Sequence, residues 1–209
     1  SLLVSYAEGV FPSIRDMQFP LIAKTNLRKG GSLYKIMYFE NLAELQKDLE
    51  TAPENFSDAL LQEFIPGIGI GIGTLYSDGA PLVTFQHRRL KEFPHTGGVS
   101  VKAQSELPDP MLKEAACSLL EEIGWQGIAM VEFRHDPASG RYALMEINGR
   151  YWGSLFLTRH AGLNFPYYEW ALAHSLSPRI PREYRSGVKA RWLVGDYRRL
   201  KGVYSDPAP

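Results

Sequence analysis

Two acidic residues inside apolar strands constrain this chain more than any other feature. Gly127 to His135 and Arg141 to Asn148 read as two strands joined by the turn Asp136-Pro-Ala-Ser-Gly140. With the turn centred on Ser139, Glu132 of Met130-Val-Glu-Phe133 falls opposite Glu146 of Met145-Glu-Ile-Asn-Gly-Arg150. Two carboxylates then sit side by side on one face of an antiparallel pair. Like charges so placed are destabilising, and Met, Val, Phe and Ile flank them, so something must compensate. A divalent cation does so directly. Mg²⁺ takes one or two carboxylates together with phosphate oxygens and water, and the amide oxygen of Asn148 would be a third ligand. Alternatively, Arg134 or Arg150 neutralises a structural pair. Paired acids also serve as general acid and base in glycoside hydrolysis.

Composition narrows the class. Lys+Arg and Asp+Glu are both 23 and the net charge is zero, which argues against a nucleic-acid or anionic-membrane binder. The chain is 209 residues long, with 44% hydrophobic and 22% charged residues, values of an ordinary globular protein with a real core. Its one cysteine, Cys117, excludes an internal disulfide and a cysteine zinc cluster and fits a reducing, cytoplasmic compartment. The longest weakly polar run, Phe64 to Tyr76, is 13 residues, too short to span a bilayer. No signal peptide is evident, and the absence of an initiator Met is read as the mark of a fragment.

Along the chain, residues 1–18 show little periodicity and read as the leftover of a preceding element. Phe19 to Lys24 is a short buried strand closed by its lysine, and Leu33 to Phe39 is the next. Asn41 with Glu44 has capping-box spacing ahead of a helix faced by Leu42, Leu45 and Leu49. Ala59 to Ile65 is a strand stopped by Pro66-Gly67. Ile68, Ile70 and Ile72 alternate with Gly69, Gly71 and Gly73, a strand with one nearly bare face; Ser77-Asp78-Gly79 turns it into a long return strand, Ala80 to Phe93. Asp109-Pro110 starts a helix that Gly124 ends. Helical patterns resume at Ser154 to His160 and Pro166 to Ser175. Arg179 to Lys201 holds eight basic and two acidic residues and reads as a solvated C-terminal segment.

Other residues point to phosphate. Lys24 ends a buried strand, and Arg28-Lys29-Gly30-Gly31-Ser32 follows. Such a loop can present backbone N–H groups to an anion, although it is not a Walker motif. Arg88 lies in Phe85-Gln-His-Arg-Arg-Leu-Lys-Glu-Phe-Pro94, where clustered cations could clamp an anion. Gln62-Glu63-Phe64-Ile65 runs into the Pro-Gly break and could offer its backbone to an adenine edge.

Taken in order, these elements resemble the ATP-grasp superfamily over roughly residues 19–176. Phe85-x-His-Arg-Arg-Leu-x-Glu-x-Pro94, Gly97-Gly98, Met145 to Ser154 and Ala161-Gly-Leu-Asn-Phe-Pro166 are similar to the predicted ATP-dependent carboligases, the group that includes D-aspartate ligase-like enzymes. The resemblance implies an α+β ATP-grasp fold, two α+β lobes with nucleotide between them, over 19–176, followed by a truncated C-terminal extension, 177–209. It implies ATP and Mg²⁺ (or Mn²⁺). Lys24, Gly30, Gly31, Ser32, Gln62, Glu63, Phe64 and Ile65 would bind nucleotide, Glu132, Glu146 and Asn148 the metal, and Arg150 and Arg88 would act in catalysis. The implied activity is carboxylate–amine or carboxylate–thiol ligation through an acyl phosphate, with a non-catalytic ATP-binding module as the alternative. Partners would be small-molecule carboxylate and amine substrates and a missing N-terminal Rossmann-like domain, with a homodimer admitted and neither nucleic acid nor membrane involved. The acid that many relatives place after the hinge for the ribose is replaced here by Ile68-Gly69-Ile70-Gly71.

Overall fold

The computed structural model describes residues 2–4, 14, 16–25, 35–56, 59–93 and 98–205. The chain forms two units, Ser1–Ile65 and Pro66–Pro209, which meet inside the Gln62–Gly67 segment.

In the first unit, β1 (Leu2–Val4), β2 (Leu21–Thr25), β3 (Lys35–Phe39) and β4 (Ala59–Glu63) form an antiparallel sheet in the order β1-β4-β2-β3. Residues 2–4, at the start of the stretch expected to be a leftover, thus form an edge strand on β4. Helix α1 (Leu42–Thr51) starts where the capping pattern places it: Glu44 N–H donates to Asn41 Oδ1 at 3.0 Å. The Glu44 carboxylate reaches back to the Glu40 N–H at 2.9 Å, one residue earlier than a standard capping box. Leu45 and Leu49 pack with Leu21, Ala23, Met37, Phe39 and Leu61. That core takes the odd-numbered positions of β2, so Ile22 and Lys24 belong to the opposite face. Register joins Tyr38, Ile36, Leu60 and Gln62 to them. On this face Ile36 is 46% and Tyr38 39% exposed, while Ile22 is buried.

The second unit is built on a six-stranded antiparallel sheet. Its strands are β5 (Ile68–Ser77), β6 (Ala80–Phe93), β7 (Val99–Glu106), β8 (Gly127–Asp136), β9 (Arg141–Asn148) and β10 (Lys189–Arg191), in the order β10-β7-β6-β5-β8-β9. The β5–β6 turn puts Asp78 and Gly79 at φ +54° and +75°, the conformation that Asp-Gly supplies most readily. Helix α2 (Pro110–Glu122), capped by Asp109 Oδ1 on the Met111 and Leu112 N–H groups, covers one face. Ile70, Ile72, Val131 and Phe133 bury against its Leu112, Ala116 and Leu120. Helices α3 (Leu155–Ala161) and α4 (Phe165–Ala173) cover part of the other face, where Leu75, Phe85, Met130 and Trp152 meet Leu157 and Phe165. Part of the basic C-terminal stretch joins this unit: β10 pairs with β7, and α5 (Leu193–Ser205) follows. Among the described residues no helix is long and apolar enough to cross a membrane.

The bare face of β5 is a set of berths. A Cβ at Gly69 would stand 2.7 Å from Arg89 Cδ, one at Gly71 2.4 Å from His87 Cε1, and one at Gly73 2.4 Å from Trp152 Cη2. Each distance is below any real Cβ contact, so large side chains lie flat across β5 only because these positions are glycine.

Candidate functional site

The hairpin pairs as the sequence predicts at the point that matters: Glu132 is opposite Glu146, and Met130 opposite Asn148. Near the turn the register is one residue shorter, with Phe133 opposite Leu144 and Asp136 opposite Arg141. A bulge at Met145 absorbs the difference. Gly71 pairs with Glu132 on one side and with His87 on the other. His87, Gly71, Glu132 and Glu146 therefore form one lateral row across four strands, all on the same face.

Neither arginine expected to neutralise the acids does so. Glu132 is 8% exposed, and its Oε2 accepts a hydrogen bond from Arg89 Nη2. Arg89 Nη1 donates to the Gly98 carbonyl at 2.8 Å and lies 3.3 Å from Glu92 Oε1. Arg134 Nη1 donates to both Glu92 oxygens at 3.2 Å. Arg150, beyond the end of β9, is exposed and donates to the Tyr151 carbonyl at 3.0 Å. The signal for Arg89 was present in the glycine alternation, because a bare face on a central strand must be filled from a neighbouring one. Which residue fills it depends on the β5–β6 register.

The electrostatics follow from burial. Loss of water pushes the Glu132 carboxyl above the ordinary carboxylate range; Arg89 opposes that rise, while Glu146 and Glu92 add to it. Burial works to lower the Arg89 pKa, but Glu132 and Glu92 outweigh it and hold the guanidinium charged. His87 is enclosed, and burial, with Arg89 beside it, drives its pKa down to about 3, so the ring is neutral. Its Nε2 lies 3.2 Å from Ser154 Oγ, and its Nδ1 has no hydrogen-bond partner among the described residues.

Glu146 is exposed and accepts from Asn148 Nδ2 at 3.0 Å. The amide oxygen of Asn148 is not used in that bond. Trp125 braces the segment: a Cβ on Gly149 would lie 2.4 Å from its Cη2. The donor set of two carboxylates and an amide oxygen suits a hard cation such as Mg²⁺ or Mn²⁺. Among the described residues no three His, Cys, Asp or Glu side chains gather to hold a metal unaided. Water and phosphate oxygens would have to complete the shell, which is usual for Mg²⁺.

Arg88, expected with these groups, lies on the other face of β6. Its Nε is 2.9 Å from Glu106 Oε1, an ionic contact rather than a directed hydrogen bond. Its neighbour two residues back, Gln86, accepts the Asp109 N–H at the start of α2. Strand alternation places Arg89, not Arg88, beside Glu132. Of the expected nucleotide residues, Lys24 and Gln62 share the face of the first sheet opposite its core, and both are half-buried. Glu63 accepts the Gln18 N–H at 3.0 Å, and the Phe64 N–H already donates to the Pro20 carbonyl at 2.8 Å. Ile65 ends the first unit. Gly30, Gly31 and Ser32 lie outside the described residues.

A family model described as "ATP-grasp in the biosynthetic pathway with Ter operon" matches residues 55–195. No curated protein gives a significant match. Similar solved structures include phosphoribosylglycinamide synthetase from Anaerococcus prevotii, at 15% identity and TM-score 0.67, covering 91% of this chain and 50% of that one. The biotin carboxylase domain of 2-oxoglutarate carboxylase from Hydrogenobacter thermophilus, in complex with MgADP, ADP and bicarbonate, has 20% identity and TM-score 0.63, over 85% of this chain and 41% of that one. An L-amino acid ligase from Bacillus licheniformis has 18% identity and TM-score 0.55, over 74% and 38%. The chain thus spans half or less of each relative's length.

Proposed function

This chain belongs to the ATP-grasp family, and on that premise we propose that it is the nucleotide- and metal-binding part of an ATP-dependent ligase. The observation that carries the reading is the row of Glu132 and Glu146 with a buried guanidinium beside it. Two acids on one face of a sheet are costly unless a cation joins them. Here the acid that is already matched is the buried one, and among the described residues Glu146 is met by the amide of Asn148. Glu132, Glu146 and the Asn148 oxygen would hold Mg²⁺ or Mn²⁺, and the metal would screen the triphosphate. Lys24, on the face of the first sheet opposite its core, would meet phosphate, with Gln62 to Ile65 near the base. Arg89 takes the place expected for Arg88, the cation near the transferring phosphoryl group.

The reaction is that of a carboxylate–amine or carboxylate–thiol ligase. A substrate carboxylate oxygen attacks the γ-phosphorus, the bond to ADP breaks, and an acyl phosphate results. The amine or thiol then attacks the acyl carbon and phosphate leaves, the nucleophile's proton passing to solvent or base. The chain's own residues contribute position and charge neutralisation. The resemblance to D-aspartate ligase-like carboligases rests on Phe85 to Pro94 and Met145 to Ser154 and names a carboxylate and an amine as the substrate classes. A further domain, a homodimer and a cytoplasmic location belong to the same reading.

One observation favours the alternative of a non-catalytic ATP-binding module. Of the two arginines expected to act, Arg88 is on the far face and Arg150 turns to a backbone carbonyl. Mg-ATP should raise the melting temperature, and EDTA should remove most of the gain. Equal shifts with and without metal would refute the metal site. Release of ADP by the full-length protein with a panel of carboxylates and amines separates ligase from module.

A further inference from the structure

The acid row carries its own counter-ion, and that has a thermodynamic consequence. Arg89 bonds Glu132, the buried member of the pair, and is itself fixed by Gly98 and Glu92. Its stem lies over Gly69, where a Cβ would be 2.7 Å from its Cδ. Glu92 is shared with Arg134. Among the described residues Arg89 contacts Glu132 and Glu92, Arg134 contacts Glu92, and Glu146 stands outside these ion pairs. A divalent cation at Glu132 and Glu146 would therefore meet a guanidinium already on its ligand. A metal that drew Glu132 away would leave Arg89 with Glu92, the longer of its two carboxylate contacts, and weakening the pairing of a buried cation is disfavoured.

We propose that Arg89 makes the metal site conditional: it holds Glu132 while the protein is empty, so a divalent cation binds there well only with an anion that takes Arg89 over. This rests on the metal-site reading above and gives Arg89, which that reading sets near phosphate, a second role in the empty protein. The anion of matching chemistry is a phosphate group, which takes a guanidinium as readily as a carboxylate does. Metal and polyphosphate then favour each other through one residue, and the coupling is reciprocal.

The test uses the 209-residue chain and Mn²⁺ alone, followed by the signal of free Mn²⁺ in electron paramagnetic resonance. Arg89→Gln removes the competitor and should bind Mn²⁺ without nucleotide about tenfold more tightly than the parent, within the usual range of such couplings. Arg134→Gln, which alters the same cluster without touching Glu132, should match the parent. Mn²⁺ should also improve ATP affinity over EDTA by a smaller factor in Arg89→Gln than in the parent. A second arm does not depend on the folding of that variant. The Arg89 side-chain ¹⁵N resonance of the parent, assigned by its loss in Arg89→Lys, should stay in place with Mg²⁺ alone and shift with Mg²⁺ and a non-hydrolysable ATP analogue. Equal Mn²⁺ affinity in parent and Arg89→Gln overturns the proposal, as does a resonance that moves with Mg²⁺ alone. If the parent binds ATP equally with Mn²⁺ and EDTA, the metal-site reading fails, and the proposal falls with it.

Discussion

Gly71→Ala tests the berth that brings His87 into the acid row. The added Cβ would stand 2.4 Å from His87 Cε1 and 3.0 Å from Nε2, against the roughly 3.5–4 Å of ordinary carbon contact. His87 has little room to retreat, since it is 2% exposed and its Nε2 faces Ser154. Overpacking a filled core costs about 1–3 kcal/mol, and a ring so enclosed belongs at the upper end. Replacing a strand glycine recovers about 0.5–1 kcal/mol. The net expectation is a loss of about 2 kcal/mol. All four tryptophans, Trp125, Trp152, Trp170 and Trp192, lie in the second unit, so tryptophan fluorescence in urea reports that unit. Gly153→Ala, with nothing within 4 Å of its added Cβ, should stay within about 0.5 kcal/mol of the parent. In a double-mutant cycle His87→Ala should relieve most of the Gly71→Ala penalty, a coupling of at least about 1 kcal/mol. A Gly71→Ala protein as stable as the parent, or strictly additive effects, would refute the close approach of His87 to β5.

Three other outcomes are expected. His87 is neutral when folded, with a pKa of about 3 against the ordinary imidazole value of 6.5, so its contribution is complete above 6.5 and is lost as pH falls toward 3. His87→Gln should reduce the fall of stability with acid over that window by up to about 1.4 kcal/mol per pH unit, and an unchanged slope in urea titrations would show that His87 is not buried neutral. Glu146→Gln should leave the empty protein within about 0.5 kcal/mol of the parent or slightly stabilised, since Glu146 is exposed and repels Glu132; with Mg-ATP its melting shift should be smaller than the parent's, and an identical shift would count against Glu146 as a ligand. Lys24→Ala should weaken ATP binding about tenfold or more, the worth of one charged hydrogen bond, without unfolding the first unit; calorimetry showing unchanged affinity would place Lys24 away from the phosphates.

What could be read from the sequence was local. The capping of α1 and α2, the Asp78-Gly79 turn and the β8–β9 hairpin each depend on residues a few positions apart, and each forms where its pattern places it. Even the hairpin needed more than spacing, because the bulge at Met145 restores the register that a turn one residue shorter would have shifted. Strand β7 was not predicted: Val99-Ser-Val-Lys-Ala-Gln-Ser-Glu106 alternates, but with small and polar residues that give little contrast. Neither β10 nor α5 was foreseen, since β10 has only three residues and α5 exposes Leu193, Tyr197 and Tyr204 and so shows no inward stripe. For the acid pair, spacing alone points to a divalent cation or to an arginine of the same hairpin, Arg134 or Arg150. The arginine on Glu132 is instead Arg89 of β6, two strands away and 43 residues earlier in the chain.

That distance explains why the glycines matter more than their number. In an antiparallel sheet a residue on β6 is separated from one on β8 by the whole width of β5. A side chain on β5 would fill that width and leave Glu132 with only its neighbours on β8 and β9, among them Glu146. With Gly69 and Gly71 in place, Arg89 and His87 lie down across β5. One brings a positive charge to the buried carboxylate; the other fills the remaining space with an uncharged ring. The Ile-Gly alternation is therefore an electrostatic device as well as a packing one. Its isoleucines build the core under α2, and its glycines let charge cross the strand to reach the acid.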